Sequence, residues 1–294
     1  KEIKKYLFLT NELYHSIIYR EKKFVEENNI VCYIGNEDPD LILTKEKFLE
    51  FVDKQTSADI PTTYNYSQAG EVRFPVIVKF KSSFINGQKF TQKKIVHSRA
   101  ELEEYVGTLK VEGVPAENLL FQELLSTKAE DNVSVCGWYE EGKPVLFQTR
   151  KILQHPKDFG NGDVVELMQL DPALRNQTID VCSKLNFIGP FELEFIKSAD
   201  SENYKVIEMN PRFWMQHGLI ESNSGNYLVA RYLGLPASEV KKNYSFWIYP
   251  MYAYYRAIKG DLAYWPYIFR KDTYWPVSTK EAFTWLYKFL LKKI

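Results

Sequence analysis

The chain lacks several features that would assign a protein to a class at once. Only 3 of its 294 residues are cysteines (Cys32, Cys136 and Cys182), and they form no CxxC pair or Cys/His cluster. Because the count is odd and the spacing is wide, we expect small buried thiols in a reducing compartment, not a disulfide or a zinc site. We therefore expect a cytoplasmic protein.

An excess of one charge and long apolar runs are also missing. Lys plus Arg is 38 and Asp plus Glu is 38, so the formal net charge is zero. Proteins held on nucleic acid by phosphate contacts usually carry a basic excess, and we expect no nucleic-acid partner. No window approaches the ~18 uncharged apolar residues that favour a membrane span. From the first residues we expect no signal peptide.

The common nucleotide and hydrolase motifs are absent from the sequence. It contains no GxxxxGK[ST], no GxGxxG, no GxSxG and no HExxH. Its four histidines, at positions 15, 97, 155 and 217, have no metal-ligand spacing. Any chemistry must therefore be carried by a different residue pattern.

What is present predicts an ordered α+β protein. Apolar residues make up 45% of the chain and aromatic residues 15%, and the length suggests roughly two domains at ~150 residues each. The pattern begins β-α-β-α and then changes, from about residue 72, to antiparallel strands with helices beside them. Two hairpins are predicted, 133–138 with 144–153 and 191–197 with 204–209.

The second predicted hairpin carries acidic residues on both of its strands. Side chains alternate between the two faces of a strand, so Glu192 and Glu194 share one face. By the same rule Glu208 and Asn210 share a face of the other strand, with Ile207 on the opposite face. Pairing of the two strands would bring Glu194 beside Glu208 and Asn210.

This set offers only oxygen ligands of the kind that Mg²⁺ takes when it is shared with substrate phosphates. Arg212 follows at once and has the charge to neutralise a transferring phosphoryl group. Spacing alone leaves a solvated acidic face as the alternative.

A second candidate site lies at the end of the predicted strand 76–80. Lys79 and Lys81 share one face of this strand, and Ser82 and Ser83 follow directly. A lysine that emerges from a buried strand beside a serine turn is suited to contact phosphate. A strand end that simply reaches solvent is the alternative.

The order of these segments resembles the ATP-grasp superfamily, which includes biotin carboxylase, D-alanine ligase, the carbamoyl-phosphate synthases and many carboxylate–amine ligases. The matching segments are 44–48, 75–79, 121–125, 192–195 and 207–212. The resemblance covers about 41–235, and the segment 148–166 is similar to D-aspartate-ligase-like enzymes in particular. The sequence departs from the pattern in having a single glycine, Gly87, in its phosphate loop, in Phe80 after the strand lysine and in Thr44 before Lys45.

The resemblance implies an ATP site with Mg²⁺, or Mn²⁺ as the alternative metal. The implied phosphate contacts are Lys45, Lys79, Lys81, Ser82 and Ser83. The implied hinge strand, whose backbone reads the adenine edge, is Gln122, Glu123, Leu124 and Leu125. Either Glu130 or Asp131 would hold the ribose. The implied metal ligands are Glu194, Glu208 and Asn210. Arg212 would contact the transferring phosphate, and Arg150 and Lys151 would face the substrate carboxylate or acyl phosphate.

The resemblance also implies a domain plan. It predicts two α+β subdomains that clasp the nucleotide, after a remnant of a Rossmann-like domain. The expected parts are 1–36 for the remnant, 37–120 for the small subdomain, 121–240 for the large subdomain with the metal site, and 241–294 for an aromatic extension. Because the chain opens at Lys1 without Met, we expect that most of the preceding domain is missing.

The implied activity is ATP- and Mg-dependent ligation of a small-molecule carboxylate to an amine. A nucleotide-binding module without ligase activity and an ATP-grasp phosphotransferase are the alternatives. The sequence leaves the oligomeric state open, a homo-oligomer included. For the segment 283–294, a helix docked on its own core is favoured over a membrane-surface or protein-interaction role, with Trp285, Leu286, Phe289 and Leu290 on one helical face.

Overall fold

The structure is a computed structural model. It describes residues 3–36, 38–81, 84–85, 88–89, 93–157, 160–199, 201–240 and 242–278, together with 280, 281, 284, 287, 288 and 291. Within these residues, no helix is long and apolar enough to cross a membrane. The residues named for the apolar face of the C-terminal helix lie outside the described part. All three cysteines are free thiols, and Cys136 and Cys182 are buried.

The N-terminal part is a small β-α-β unit followed by two short helices. Its elements are β1 (Lys5–Tyr6), α1 (Glu12–Arg20), α2 (Lys22–Glu27), β2 (Ile30–Val31), α3 (Pro39–Leu43) and α4 (Lys45–Gln55). β1 and β2 pair in parallel. Two helices form after Asp38, because Thr44 takes an extended conformation between them. Asp38 caps the first one by accepting a hydrogen bond from the Asp40 amide at 3.1 Å.

A four-stranded sheet forms one side of the molecule, in the order β3-β8-β4-β7. Its elements, with a small hairpin and a covering helix, are β3 (Thr63–Asn65), β4 (Val76–Phe80), β5 (Phe84–Ile85), β6 (Gln88–Lys89), β7 (Lys94–Val96), α5 (Arg99–Val111) and β8 (Leu119–Glu123). Ser98 caps α5 by accepting a hydrogen bond from the Glu101 amide at 3.3 Å. One face of β4 packs with α5 through Val76, Val78 and Leu102. The other face of β4 is therefore left for the cleft.

A seven-stranded sheet forms the other side, in the order β13-β12-β9-β10-β11-β14-β15. Its strands are β9 (Asn132–Tyr139), β10 (Val145–His155), β11 (Asn161–Met168), β12 (Gly189–Lys197), β13 (Tyr204–Asn210), β14 (Phe246–Ile248) and β15 (Thr273–Tyr274). Both predicted hairpins are confirmed by the antiparallel pairs β9–β10 and β12–β13. The strands β11, β14 and β15 were not predicted.

Helices cover both faces of this sheet. They are α6 (Pro172–Lys184), α7 (His217–Ser224), α8 (Tyr227–Leu233), α9 (Pro250–Ile258) and α10 (Trp265–Phe269). On one face, Val181 of α6 and Val52 of α4 share a core with Phe195 and Val206 of the hairpin. A second core holds residues of α7 and α8 with buried Trp138 of β9.

The sheets do not follow two of the predicted domain limits. All of β8 lies in the four-stranded sheet, so a limit between residues 120 and 121 cuts through one strand. The segment 241–294 is not only an extension, since it contributes β14 and β15 to the seven-stranded sheet. The hydrophobic pattern of a strand shows that it is buried but not which sheet it joins, and this is why the limits were misplaced.

Candidate functional site

A cleft lies between the two sheets and has a cavity volume of about 120 Å³. One wall comes from β4 and β8 of the four-stranded sheet, and the other comes from β10, β12 and β13 of the seven-stranded sheet. The cleft therefore lies between the two candidate sites predicted from the sequence, the acidic hairpin and the end of the strand 76–80.

The acidic hairpin brings together the residues that were expected to lie side by side. Glu194 lies directly opposite Glu208, and Glu192 lies opposite Asn210. The Asn210 amide donates to a Glu192 oxygen at 3.1 Å and to a Glu194 oxygen at 3.4 Å. The predicted juxtaposition of two carboxylates and one amide is thus present in the structure.

One prediction for this hairpin is wrong. Glu194 pairs with Glu208 but Phe195 pairs with Val206, so β13 carries an additional residue, Ile207, at a bulge. Strict alternation would turn Ile207 away from Glu208, whereas both side chains line the cleft. The bulge therefore adds an apolar side chain beside the acidic set.

Each carboxylate that faces the cleft contacts a lysine. Lys45, the first residue of α4, pairs with Glu208. Lys151 of β10 has its Nζ 3.4 Å from Glu194 Oε2. Burial alone would raise the pKa of Glu208, but Lys45 and the nearby Lys93 outweigh it and hold that pKa far below its usual range.

Glu192, on the same face of β12 as Glu194, behaves in the opposite way. Burial, reinforced by the charge of Glu194, raises the pKa of Glu192 to about 8. Like charges this close cannot both ionise cheaply. The acidic set therefore holds ionised Glu208 near a carboxyl group that keeps its proton at neutral pH.

The opposite wall presents lysines. Lys79 lines the cleft, as predicted, and so does Lys93, which the sequence reasoning missed. Burial, with the charges of Lys93 and Lys45, lowers the pKa of Lys79 to about 7. The available signal for Lys93 was a pair of lysines directly before a short strand. Lys81 pairs with Glu46 of α4 at 2.9 Å and is not among the described residues that line the cleft.

The predicted hinge also borders the cleft. Its members Gln122, Glu123, Leu124 and Leu125 line the wall, and the chain continues along it through Ser126, Thr127 and Lys128. The Glu123 carboxylate accepts from Lys205 Nζ at 2.8 Å, which ties β8 to the acidic hairpin. Glu130 and Asp131 lie in a following 3₁₀ helix, and neither is among the described cleft-lining residues. Ser82 and Ser83 lie outside the described residues.

Arg150 and Lys151 were expected at one site, but their side chains lie in different places. Neighbouring residues of a strand point to opposite faces. Lys151 contacts Glu194 in the cleft, whereas Arg150 pairs with Glu166 of the neighbouring strand β11, with Nε 3.2 Å from Glu166 Oε2. Arg212 stays near the acidic set, with Nη2 3.4 Å from Asn210 Oδ1.

The donor set suits a hard divalent cation that also binds phosphate. Among the described residues, no group of three or more His, Cys, Asp or Glu side chains forms a complete protein cage. Mg²⁺ does not require one, because it is usually held by one or two carboxylates plus substrate phosphates and waters. Glu194 and Glu208 supply two carboxylates, and each already contacts a cation, Lys151 or Lys45. The residues present therefore fit Mg²⁺.

Part of the chain, including the acidic hairpin, is similar to a known family. Residues 167–239 match the family described as carbamoyl-phosphate synthase L chain, ATP binding domain. This span includes Glu194, Glu208, Asn210 and Arg212. The chain is also 24% identical over 180 residues to the mitochondrial methylcrotonoyl-CoA carboxylase subunit alpha of Rattus norvegicus. That alignment covers 58% of this chain and 24% of the relative, so the chain spans about a quarter of the relative's length.

Solved structures share the fold at low sequence identity. An ADP complex of PurK, an N5-carboxyaminoimidazole ribonucleotide synthetase, matches with a TM-score of 0.61 at 15% identity, over 88% of this chain and 69% of that one. The biotin carboxylase β-γ-ATP complex of Campylobacter jejuni matches with a TM-score of 0.59 at 16% identity, over 82% of this chain and 57% of that one. These likenesses confirm the predicted ATP-grasp fold.

Proposed function

We propose that this chain, which has the ATP-grasp fold, binds MgATP in its cleft and activates a small-molecule carboxylate for ligation to an amine. The observation that carries the proposal is the register of the acidic hairpin, which places Glu194 and Glu208 side by side across the cleft from Lys79. Oxygen donors on one wall and an ammonium on the other suit a metal-bound polyphosphate.

The apolar part of the cleft suits the base of the nucleotide. Ile77, Leu125, Ile196 and Ile207 all line the cleft beside the hinge. A purine between aliphatic side chains, with its polar edge toward the hinge backbone, would satisfy both kinds of surface. Supporting this placement, the ADP-bound PurK and ATP-analogue-bound biotin carboxylase structures have the same fold.

The charged part of the cleft suits the phosphates. Lys79, Lys93 and Lys128 line it, and phosphate oxygens would be natural partners of their protonated amino groups. Glu194, Glu208 and Asn210 would hold Mg²⁺, which when bound offsets charge on the phosphate oxygens. Arg212, next to Asn210, would then lie at the transferring phosphoryl group.

The proposed reaction has two steps. An oxygen of the substrate carboxylate attacks the γ-phosphorus of ATP, ADP leaves, and an acyl phosphate forms. The amine then attacks the acyl carbon, inorganic phosphate leaves, and the amine loses a proton. Lys151 lies at Glu194 in the cleft and would orient the carboxylate, while exclusion of water would protect the acyl phosphate.

The other roles carried by the resemblance remain part of the same proposal. Lys45 would release Glu208 and contact a phosphate instead. Lys81, Ser82 and Ser83 would belong to the loop over the phosphates. Either Glu130 or Asp131 would hold the ribose once the cleft closes. We also propose that the protein acts in the cytoplasm on small molecules, with Mn²⁺ as an alternative to Mg²⁺.

Thermal unfolding with Mg²⁺, ATP and both together tests the nucleotide site first. A ligand at 100 times its Kd adds about 2.7 kcal/mol to the free energy of unfolding. We expect a rise in Tm that requires ATP and is largest with Mg²⁺. Failure of both ATP and MgATP to raise Tm would contradict the proposed site.

Hydroxylamine trapping tests the chemistry. The protein is incubated with MgATP, hydroxylamine as the amine, and a panel of amino acids and short-chain carboxylic acids. We expect ADP and a hydroxamate with at least one acid, both dependent on that acid. ADP with a stable phosphorylated product would instead indicate a phosphotransferase. Nucleotide binding without any product would indicate a binding module.

A further inference from the structure

A buried glutamine connects three neighbouring strands directly behind the cleft. Gln122 is 4% exposed and lies on β8, between Thr63 of β3 and the strand β4 that carries Lys79. Its amide nitrogen donates to Thr63 Oγ1 at 3.0 Å, and its amide oxygen accepts from Lys79 Nζ. Gln122 therefore contacts both a structural strand and the cleft lysine.

The direction of these hydrogen bonds is determined from both ends. The Thr63 hydroxyl donates to the Pro61 carbonyl at 2.9 Å, and a carbonyl oxygen can only accept. The Thr63 oxygen is then an acceptor for Gln122, whose amide nitrogen must face it. At the other end an ammonium can only donate, so the amide oxygen of Gln122 must face Lys79. Both ends thus require the same orientation of the amide.

This arrangement holds a lysine without cancelling its charge. A buried ammonium is costly unless it is hydrogen-bonded, and the Gln122 oxygen supplies one such bond. A carboxylate in this place would form an ion pair and would compete with phosphate for Lys79. A neutral amide fixes the position of the ammonium and leaves its charge to the ligand.

We propose that Gln122 is a positioning residue, which aims the Lys79 ammonium at the nucleotide phosphates, and that Thr63 fixes the orientation of the Gln122 amide. The inference rests on the proposed nucleotide site. It goes beyond the hinge role, because it assigns the Gln122 side chain, and not only its backbone, to phosphate binding.

A double-mutant cycle tests this inference. ADP and MgATP affinities are measured by calorimetry for the wild type, Gln122→Met, Lys79→Met and the double variant. Because one hydrogen bond to a charged group is lost, we expect Gln122→Met to weaken ADP binding by about tenfold. If Gln122 acts through Lys79, adding Gln122→Met to Lys79→Met should weaken binding by less than about twofold.

The matched control is Gln148→Met on β10. Gln148 is also buried, at 5% exposed, and its side-chain oxygen accepts from the Asp171 amide at 2.8 Å, away from the cleft. We expect ADP affinity equal to that of the wild type. Thr63→Val should weaken ADP binding by about threefold while Thr63→Ser does not, which tests the inference even if Gln122→Met fails to fold.

The outcomes separate the two proposals. A wild type that binds neither ADP nor MgATP overturns the proposed function and the inference together. A wild type that binds, with a Gln122→Met effect of equal size in both Lys79 backgrounds, overturns the inference alone. Thr63→Val and Thr63→Ser with the same affinity would also overturn the role of Thr63.

Discussion

The two sheets that border the cleft carry opposite charges and balance them differently. In the four-stranded sheet, the cleft lysine Lys79 bonds to the neutral amide of Gln122. In the seven-stranded sheet, the carboxylates Glu208 and Glu194 each contact a lysine. Burial, with the charges of Lys93 and Lys45, lowers the pKa of Lys79 to about 7, whereas Lys45 and Lys93 hold the pKa of Glu208 well below its usual range.

The difference indicates that the two walls have different roles in ligand binding. The acidic wall keeps its negative charge in the free protein because lysine ammonium groups compensate it. The lysine wall keeps a buried cation whose charge is costly until an anion arrives. Phosphates would therefore gain most from Lys79, and a divalent cation would gain most from Glu208.

The largest effect is expected when a carboxylate of the acidic wall is removed. Glu208→Gln removes a carboxylate that we assign to the metal, and it removes the ion pair between Glu208 and Lys45. We expect Mg-dependent ADP formation to fall by about 10²–10³-fold, with a smaller change in nucleotide affinity, because the lost charge acts mainly during phosphoryl transfer. Steady-state kinetics and calorimetry separate the two effects.

The control for this variant is Glu202→Gln in the turn of the same hairpin. Its side chain is 91% exposed and pairs with Lys197, away from the cleft. We expect turnover equal to that of the wild type. Full turnover of Glu208→Gln would remove the acidic wall from the chemistry.

The next largest effect is expected when the charge of Lys79 on the lysine wall is removed. Lys79→Met keeps the length of the side chain and removes its charge. We expect ADP affinity to fall by about 10- to 100-fold, the loss of a charge-assisted hydrogen bond in a half-buried place. Lys54→Met on α4 is the control, since Lys54 is 61% exposed and bonds only to Glu50 in the interactions described. Equal ADP affinity for both variants would contradict the assignment of Lys79.

Much of the acidic wall was predictable from sequence, because a hairpin has a period of two. Once 191–197 and 204–209 are recognised as paired strands, Glu194 is expected near Glu208, but the bulge at Ile207 is what sets the two directly opposite each other. The exception is Ile207, whose placement depends on a bulge. No local pattern marked the bulge, because an additional residue in one strand changes only the pairing with its neighbour.

The lysine wall was less predictable, because it depends on contacts between distant segments. Lys93, Thr63 and Gln122 come from three separate elements, and only sheet order brings their surroundings together. The sequence likewise did not separate Arg150 from Lys151, although alternation along one strand was sufficient to do so. That error came from taking adjacent cations as one site.

The pKa of Lys79 allows a test of how the two walls differ with pH. Its value in the folded protein, about 7, lies below the ordinary 10.5, so Lys79 gains a proton as the pH falls through 7. Phosphate favours that protonated form, so we expect Mg-free ADP affinity to weaken several-fold from pH 6 to pH 8. Lys79→Arg, which stays charged, should remove this part of the pH dependence. A profile identical to that of the wild type would contradict it.

Lys79 and Glu192, one on each wall, should make the free energy of unfolding change with pH in opposite directions. Between pH 7 and 10.5 the unfolded chain holds a proton on Lys79 that the folded protein has lost, so this group adds stability as the pH rises. Glu192, whose pKa is raised to about 8, holds a proton in the folded protein between pH 4.5 and 8 that the unfolded chain has lost. The free energy of unfolding therefore falls as the pH rises through that window. Urea unfolding across pH 5 to 10 measures these changes. The free energy of unfolding of Lys79→Met should lack the rise due to Lys79, and that of Glu192→Gln should lack the fall due to Glu192.

The smallest effect sharpens the distinction between the two faces of β10. Arg150 and Glu166 are 34% and 25% exposed and form their ion pair away from the cleft, so Arg150→Gln should cost less than about 1 kcal/mol in the free energy of unfolding. We expect its kcat/KM to stay within about twofold of the wild type. Lys151→Gln, one residue along, should lower kcat/KM for the carboxylate substrate by at least about tenfold, because it removes the ammonium at Glu194. Since the two changes are equal in charge and adjacent in sequence, a general loss of positive charge cannot separate them. Equal losses in both variants would instead mean that Arg150 reaches the substrate in the working enzyme, and the assignment of the two faces would then be wrong.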